Sequence, residues 1–467
     1  MKSHTVIAAA ITLLTLAGSV AGADVSIDRS ELANGVRILV VYVPDAPKQT
    51  IFTFIPVTMI NDDAHHAQWA HLLEHMLIRS TDPLDLSVPG MMLNGETMHT
   101  YMRLEIFAEP DQWKPALERH SKWLAARQFD AQTLEREKGH IQSEEQNTAQ
   151  GGFTSKFALA AWNQVVRHHL KQAAVHGDVA GADLAQVEAY AQAKLPMDGS
   201  VMIATIGPAP IPEMKQEMQR LAGALPKHAV SAPAGADAKA EFSGPLQASW
   251  DFPTRHAMWW WKLPSTAPNA RAAAACIARA VQMQLLMAPE HRNLIRQALV
   301  YPNVETPEGS FFIVDCCLVA AAPDTEGADQ SAAPEKAFAL IKPLIEGLGQ
   351  GKTRHGTIAW CGRMLLQELN PKPNFELLRK QTPAAMRDLA EGNWLLAQMN
   401  YEYSWGIPAG EVANALETLD ESAVKAVLEP LSGEPAGSLL LEPEVHGDAS
   451  GQTHPPNAPA GPATAPH

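Results

Sequence analysis

Trp69, Leu72, Leu73, Met76 and Leu77 recur at i, i+3, i+4, i+7 and i+8, the spacing of a single apolar stripe on an α-helix. A stripe this regular commits the segment to a helix with one buried side, and so to a covering layer of further structure. The polar residues between are confined as well. His71 and His75 are four apart, which projects their imidazoles side by side from successive turns. Glu74 lies three residues after His71 in the same sector, flanking the stripe. Two imidazoles so placed can hold one Zn²⁺ with bonds of about 2.0–2.1 Å, and the carboxylate is near enough to take a proton from a water on that ion. The order is H-x-x-E-H, the reverse of the commoner H-E-x-x-H. A helix with partly exposed histidines and a solvated glutamate is the alternative, in a chain that holds 18 histidines. The shared phase of the three polar residues argues for the metal.

A catalytic zinc site takes a third protein ligand and keeps one position open. The segment from Leu134 to Glu145 is the best source. Leu134, Glu137, Ile141 and Glu144 follow 3-4-3 spacing, which puts two carboxylates on an apolar, inward side. Glu137 and Glu144 would stand about 10 Å apart along the helix axis, too far for one ion to bind both easily. Glu144 as ligand, with Glu137 as a supporting carboxylate behind a ligand, is a consistent division. A charged surface helix would account for Glu135, Arg136, Lys138 and Glu145 but poorly for these two.

At 467 residues and 46% hydrophobic, the chain can bury more than one core. Val6 to Leu16 is apolar and Ala21-Gly22-Ala23 follows, which predicts a signal peptide over 1–23, cleavage before Asp24, and a periplasmic or secreted protein. No later run is apolar enough for a membrane span. A formal net charge of −15 argues against a nucleic-acid partner. Cys276, Cys316, Cys317 and Cys361 lack paired spacing and read as buried, inert thiols.

Strands are expected at 35–43, 50–59 and 200–206, with helices near 64–80, 111–128, 131–149, 154–170 and 212–224. Residues 226–245 turn Ala-, Pro-, Gly- and Ser-rich, as a linker does. Beyond it come strands at 247–252 and 256–262, a helix at 268–287, a strand at 310–320 and a polar loop at 321–335. The Trp259-Trp260-Trp261 run reads as a strand packed on both faces. The expected fold class is α+β, with two similar domains, 24–225 and 246–443, and a disordered tail over 444–467. Each domain would be a mostly antiparallel sheet packed with helices.

The stretches Asn34-Gly35-Val36-Arg37-Ile38, His71 to Thr81 and Glu135 to Glu144 resemble, in order and separation, the pitrilysin/insulinase family of zinc peptidases. The resemblance runs along most of residues 30–225. It implies zinc, one per chain, held by His71, His75 and Glu144, with Glu74 as general base and Glu137 in support. It also implies a peptide substrate added as a strand along an edge that is reduced here to Asn94-Gly95-Glu96-Thr97, with Asn94 a candidate contact. Arg296 and Tyr301 look like the family's substrate-gripping pair but stand two residues closer; a helix-to-strand junction is the other reading. Trp69 stands where many relatives have a Gly-containing turn. Single-chain relatives enclose a four-domain chamber, so a homodimer, or a heterodimer with a related chain, is implied. The functional expectation is an exported zinc endopeptidase acting on peptides or unfolded segments. A catalytically silent family member serving as partner or scaffold is the alternative. A zinc-storage protein drawing on His65, His66, His99, His168 and the tail is a third reading.

Overall fold

Two six-stranded sheets organise the protein. The structure, a computed structural model, describes residues 25–444 apart from 60–61, 63–65, 81–87, 152–153, 176–178, 231–243, 289–290, 307–308, 320–332, 350, 371–372 and 406–407. The expected signal peptide, most of the linker, most of the 321–335 loop, His65 and nearly all of the tail therefore lie outside the described residues.

The first half carries β1 (Ser26–Glu31), β2 (Arg37–Tyr42), β3 (Gln49–Ile55), β4 (Met91–Thr97), β5 (Met102–Ala108), β6 (Gln172–Ala173) and β7 (Met202–Gly207). Its helices are α1 (Trp69–Ser80), α2 (Trp113–Ala125), α3 (Ala131–Gly151), α4 (Ser155–Trp162), α5 (Leu184–Lys194) and α6 (Ile211–Leu221). The second half adds β8 (Gly244–Trp250), β9 (Arg255–Lys262), β10 (Ile295–Thr306), β11 (Gly309–Leu318) and β12 (Gly437–Pro443). Its helices are α7 (Pro268–Met287), α8 (Ala333–Leu348), α9 (Gly351–Glu368), α10 (Phe375–Gln381), α11 (Ala390–Trp405), α12 (Ala409–Glu417) and α13 (Glu421–Leu431).

Sheet order is β1-β2-β7-β3-β5-β4 in the first and β6-β8-β12-β9-β11-β10 in the second. Five strands of each correspond, β2, β3, β4, β5 and β7 matching β8, β9, β10, β11 and β12 in chain order and position. Within each set one pair is parallel, β2 with β7 and β8 with β12, and the other neighbours run antiparallel. The two expected α+β units are thus one topology used twice, without a shared sequence motif.

The central strands of both sheets are buried on both faces, as their uninterrupted apolar runs require. On the first, Ile38, Val40, Ile51, Leu104 and Ile106 face α1, whose Leu72, Leu73, Met76 and Leu77 are all fully buried. Leu39, Val41, Phe52, Phe54 and Phe107 face the other way, onto Phe375 of α10 and Trp394, Leu395 and Met399 of α11. Those helices come from the second half. Glu402 of α11 pairs with Arg29 at 3.1 Å and Arg37 at 3.4 Å at the rim of this contact. The exchange is reciprocal. Phe157 and Trp162 of α4 join Phe252, Trp260 and Phe311 on the outer face of the second sheet, where β6 also adds a parallel edge. Trp259 and Trp261 face the opposite core with α7, so the tryptophan run packs on both faces.

Several boundaries differ from expectation. The helix expected from 64 is described from Trp69, behind a turn at 66–68. The 154–170 helix stops at Trp162 and widens into a π-helical turn at Asn163–Arg167. No helix-to-strand junction separates Arg296 from Tyr301; both lie on the single strand β10.

Candidate metal centre

Asp62 sets the start of α1. Its Oδ2 accepts the Ala70 N–H at 3.1 Å and its Oδ1 accepts the Tyr190 hydroxyl at 2.5 Å, meeting an unpaired helix donor with a carboxylate. Gln68 just before the helix has φ 65°, a left-handed conformation that costs a side-chain-bearing residue about 1–2 kcal/mol. The backbone at this position favours glycine. Gln68 uses its side chain instead. Its Nε2 donates to the Val175 carbonyl at 2.7 Å, leaving Oε1 to accept from His71 Nδ1 at 3.3 Å.

The consequence is a fixed tautomer. With Nδ1–H pointing at Gln68, His71 presents Nε2 to the cleft. His75 is set the same way, its Nδ1 donating to Glu137 Oε2 at 3.0 Å. Glu144 of α3 then comes within 3.4 Å of His71 Nε2 and 3.7 Å of His75 Nε2. A tetrahedral ion with bonds of about 2.1 Å needs ligand atoms about 3.4 Å apart. The two separations to Glu144 are near that spacing, and among the described residues these three, with ligand atoms all within 4.8 Å of one another, form the cluster of this kind. Two imidazoles and a carboxylate are a donor set suited to zinc.

Glu137 is fully buried behind His75, and also accepts from Arg136 at 2.9 Å and His140 at 3.1 Å. Burial alone would raise its carboxyl; the hydrogen bonds from His75, Arg136 and His140, with Arg79 nearby, hold it at about 2. Burial pulls the His75 imidazole down, but Glu137 and Glu144 outweigh it and lift the group to about 9. Glu144, beside both imidazoles, sits well below the usual carboxylate range.

Glu74 makes no contact of ligand length with the histidines. It is buried, and its Oε2 accepts the Thr97 hydroxyl at 2.7 Å. Burial raises its pKa, opposed by the charges of His71 and His75. Its Oε1 lies over Gly95 of β4, so close that a Cβ built there would stand 2.6 Å away. His71, Glu74, His75, Ile78, Glu144 and strand β4 border a cleft of about 240 Å³. β4 is the last strand of its sheet, so its outer edge faces this cleft without a described strand beside it.

Residues 94–97 alternate across the sheet. Gly95 and Thr97 face α1; Asn94 faces away and donates to Glu105 Oε2 at 3.2 Å, though it still borders the cleft. Arg296 and Tyr301 do not border it. Tyr301 is buried, donates its hydroxyl to the Ser155 carbonyl at 3.1 Å, and meets the His99 ring edge-on at 5.2 Å. Of the neighbours of the cluster, Gln68 was not singled out from the sequence, and Gly95 and Thr97 entered only as part of the expected substrate edge. A glycine inside a strand is itself a sign of close backbone approach, and Gly95 carried that sign.

No protein-family model matches the sequence, and no curated protein sequence matches it either. Solved structures do. The chain superposes on a peptidase M16 inactive domain from Pseudomonas fluorescens with a TM-score of 0.60 at 14% identity, covering 90% of this chain and 98% of that one. A protease from Helicobacter pylori gives 0.57 at 12% identity, covering 90% and 100%. The first half of the periplasmic protease PqqL from Escherichia coli gives 0.50 at 12%, covering 91% and 93%. The chain has the two-domain α+β fold of M16-like, pitrilysin/insulinase-type peptidases.

Proposed function

We propose that this chain is a zinc-dependent endopeptidase of the pitrilysin/insulinase type, with one ion per chain held by His71, His75 and Glu144. The observation that carries the reading is the separation of roles on α1. Two imidazoles and Glu144 converge at ligand spacing, while Glu74 stands beside them bound to Thr97 rather than to the cluster. When bound, zinc would acidify a water and polarise a scissile carbonyl. Glu74 accepts the proton at Oε1, its oxygen not engaged by Thr97, and passes it to the leaving amine. Glu137 keeps the His75 ring oriented and its Nε2 basic. Strand β4 offers its open edge to an extended peptide, which favours peptides and unfolded segments over folded proteins.

Export through a leader over 1–23, a periplasmic or secreted location and pairing with a second copy or a related chain belong to the same reading. One structural neighbour is the first half of a periplasmic protease, and among the described residues no helix is long and apolar enough to cross a membrane. A silent partner or scaffold is the second reading, favoured by a neighbour described as an inactive M16 domain. The complete set of His71, Glu74, His75 and Glu144 weighs against it. Glu74→Gln tests the choice: zinc stays at one per chain while hydrolysis of a quenched peptide falls about 10²–10⁴-fold. His71→Ala and Glu144→Gln lose metal and activity together. Wild-type hydrolysis by Glu74→Gln would refute the mechanism, and a wild-type chain that binds zinc but cleaves nothing would establish the silent reading.

A further inference from the structure

The second half contains a cleft in the place that the metal centre occupies in the first. α7 follows β9 as α1 follows β3, and β10 ends its sheet as β4 ends the other. Ala275, Ala278, Arg279 and Gln282 of α7 border this cleft of about 380 Å³. They have the spacing of His71, Glu74, His75 and Ile78: each set starts at one residue and continues three, four and seven positions on. Glu368 reaches in from α9 as Glu144 does from α3.

The chemistry between the two helices is different. Arg279 stands in the register of His75 and forms a two-pronged bond to Glu368, Nη1 to Oε2 at 3.0 Å and Nη2 to Oε1. A guanidinium is a permanent cation with a fork that matches a carboxylate. It joins α7 to α9 through positive charge, as a divalent ion would join α1 to α3. The bordering strand is altered too. The Val300 N–H donates to Gln282 Oε1 at 3.3 Å, and Pro302, two residues on and facing the same edge, has no N–H. Along the stretch that borders the cleft, the donor at 300 is consumed and the one at 302 is missing.

We propose that this cleft is a vestigial counterpart of the metal centre, in which the Arg279–Glu368 pair stands in for the ion and Gln282 for a docked peptide. It is two substitutions from a divalent transition-metal site, because Glu368 already occupies the place of the third ligand.

The test is A275H/R279H in the full chain, purified, stripped and titrated with zinc alone. The expected result is one zinc more per chain than wild type, lost again on adding E368Q. Adding H71A instead removes the first-site ion and leaves the gained one. Cobalt at the gained site should give the intense visible absorption of a tetrahedral centre. A folded A275H/R279H chain that gains no ion, or a gained ion indifferent to E368Q, overturns the proposal. Should that variant not fold, A275C/R279C places smaller ligands at the same spacing and is judged by the same gain. The readout is a difference from wild type, so it holds whether or not the first site hydrolyses peptides; a wild-type chain without zinc would count against the first site alone.

Discussion

Gly95→Ala should disable the site by displacing Glu74 while leaving the metal in place. A Cβ at position 95 would lie 2.6 Å from Glu74 Oε1, 2.6 Å from Ile78 Cδ1 and 2.9 Å from Glu74 Cγ. Ordinary contacts begin near 3.4 Å, so three atoms must each retreat by half an ångström or more. The backbone at Gly95 is not among the left-handed glycines, so alanine adds no conformational strain and the effect is purely this contact. Overpacking of this kind costs about 1–3 kcal/mol. Ile78 can rotate, but relieving Glu74 means swinging its carboxylate away from Thr97, which gives up a further ~1 kcal/mol of hydrogen bonding. A general base misplaced by about 1 Å costs on the order of 10²-fold in turnover. The three atoms nearest to such a Cβ belong to Glu74 and Ile78 and none to His71, His75 or Glu144, so zinc content should stay at the wild-type value. The assay is kcat on a quenched peptide beside zinc content and a melting curve. Gly95→Ala with wild-type kcat would refute the argument, and so would loss of zinc, since the damage would then lie in the ligands.

We predict further that Glu137→Gln weakens zinc binding about 10–100-fold by loosening the His75 ring, measured by competition with a chelating dye; an unchanged affinity would deny Glu137 its supporting role. For pH, His75 in the metal-free fold is lifted to about 9, above the unfolded value of about 6.5. A raised folded pKa stabilises fully below about 6.5, and that contribution is lost as pH rises through about 9. Zinc needs the neutral imidazole, so its binding should release a proton across this window and tighten with rising pH. Calorimetry in buffers of different ionisation enthalpy reads the proton, and zero release at pH 7.5 would contradict the assignment. Tyr301→Phe should cost about 1 kcal/mol in denaturant unfolding by leaving the Ser155 carbonyl without its donor, with KM unchanged. A raised KM at wild-type stability would return Tyr301 to a substrate-gripping role.

The helix of the candidate metal centre was legible because its information is local. Stripe, histidine spacing and Glu74 lie within one α-helix, where period and phase can be read directly. Glu137 and Glu144 were legible for the same reason, being two turns of α3. What lay beyond reach depends on contacts between distant segments. Trp394 and Met399 read as one more apolar stretch, and nothing in α11 says that it covers Phe52 and Phe54. Arg279 and Glu368 are unremarkable on their own helices and acquire meaning only once α7 is laid over α1. Helix α5 is a different kind of miss: Asp183 and Gln186 form a capping box, a local signal that was available.

The exchange of covering helices governs the order in which the protein can be completed on the ribosome. Phe52, Phe54 and Phe107 are made early, yet Trp394, Leu395 and Met399, which pack against them, emerge roughly 300 residues later, about 15–60 s at 5–20 residues per second. Through that interval the aromatic face of the first sheet lacks the side chains that cover it in the finished fold. A chain that stalls after the first half would expose apolar surface of the kind that favours aggregation. Packing of the first sheet's outer face is thereby conditional on synthesis through α11.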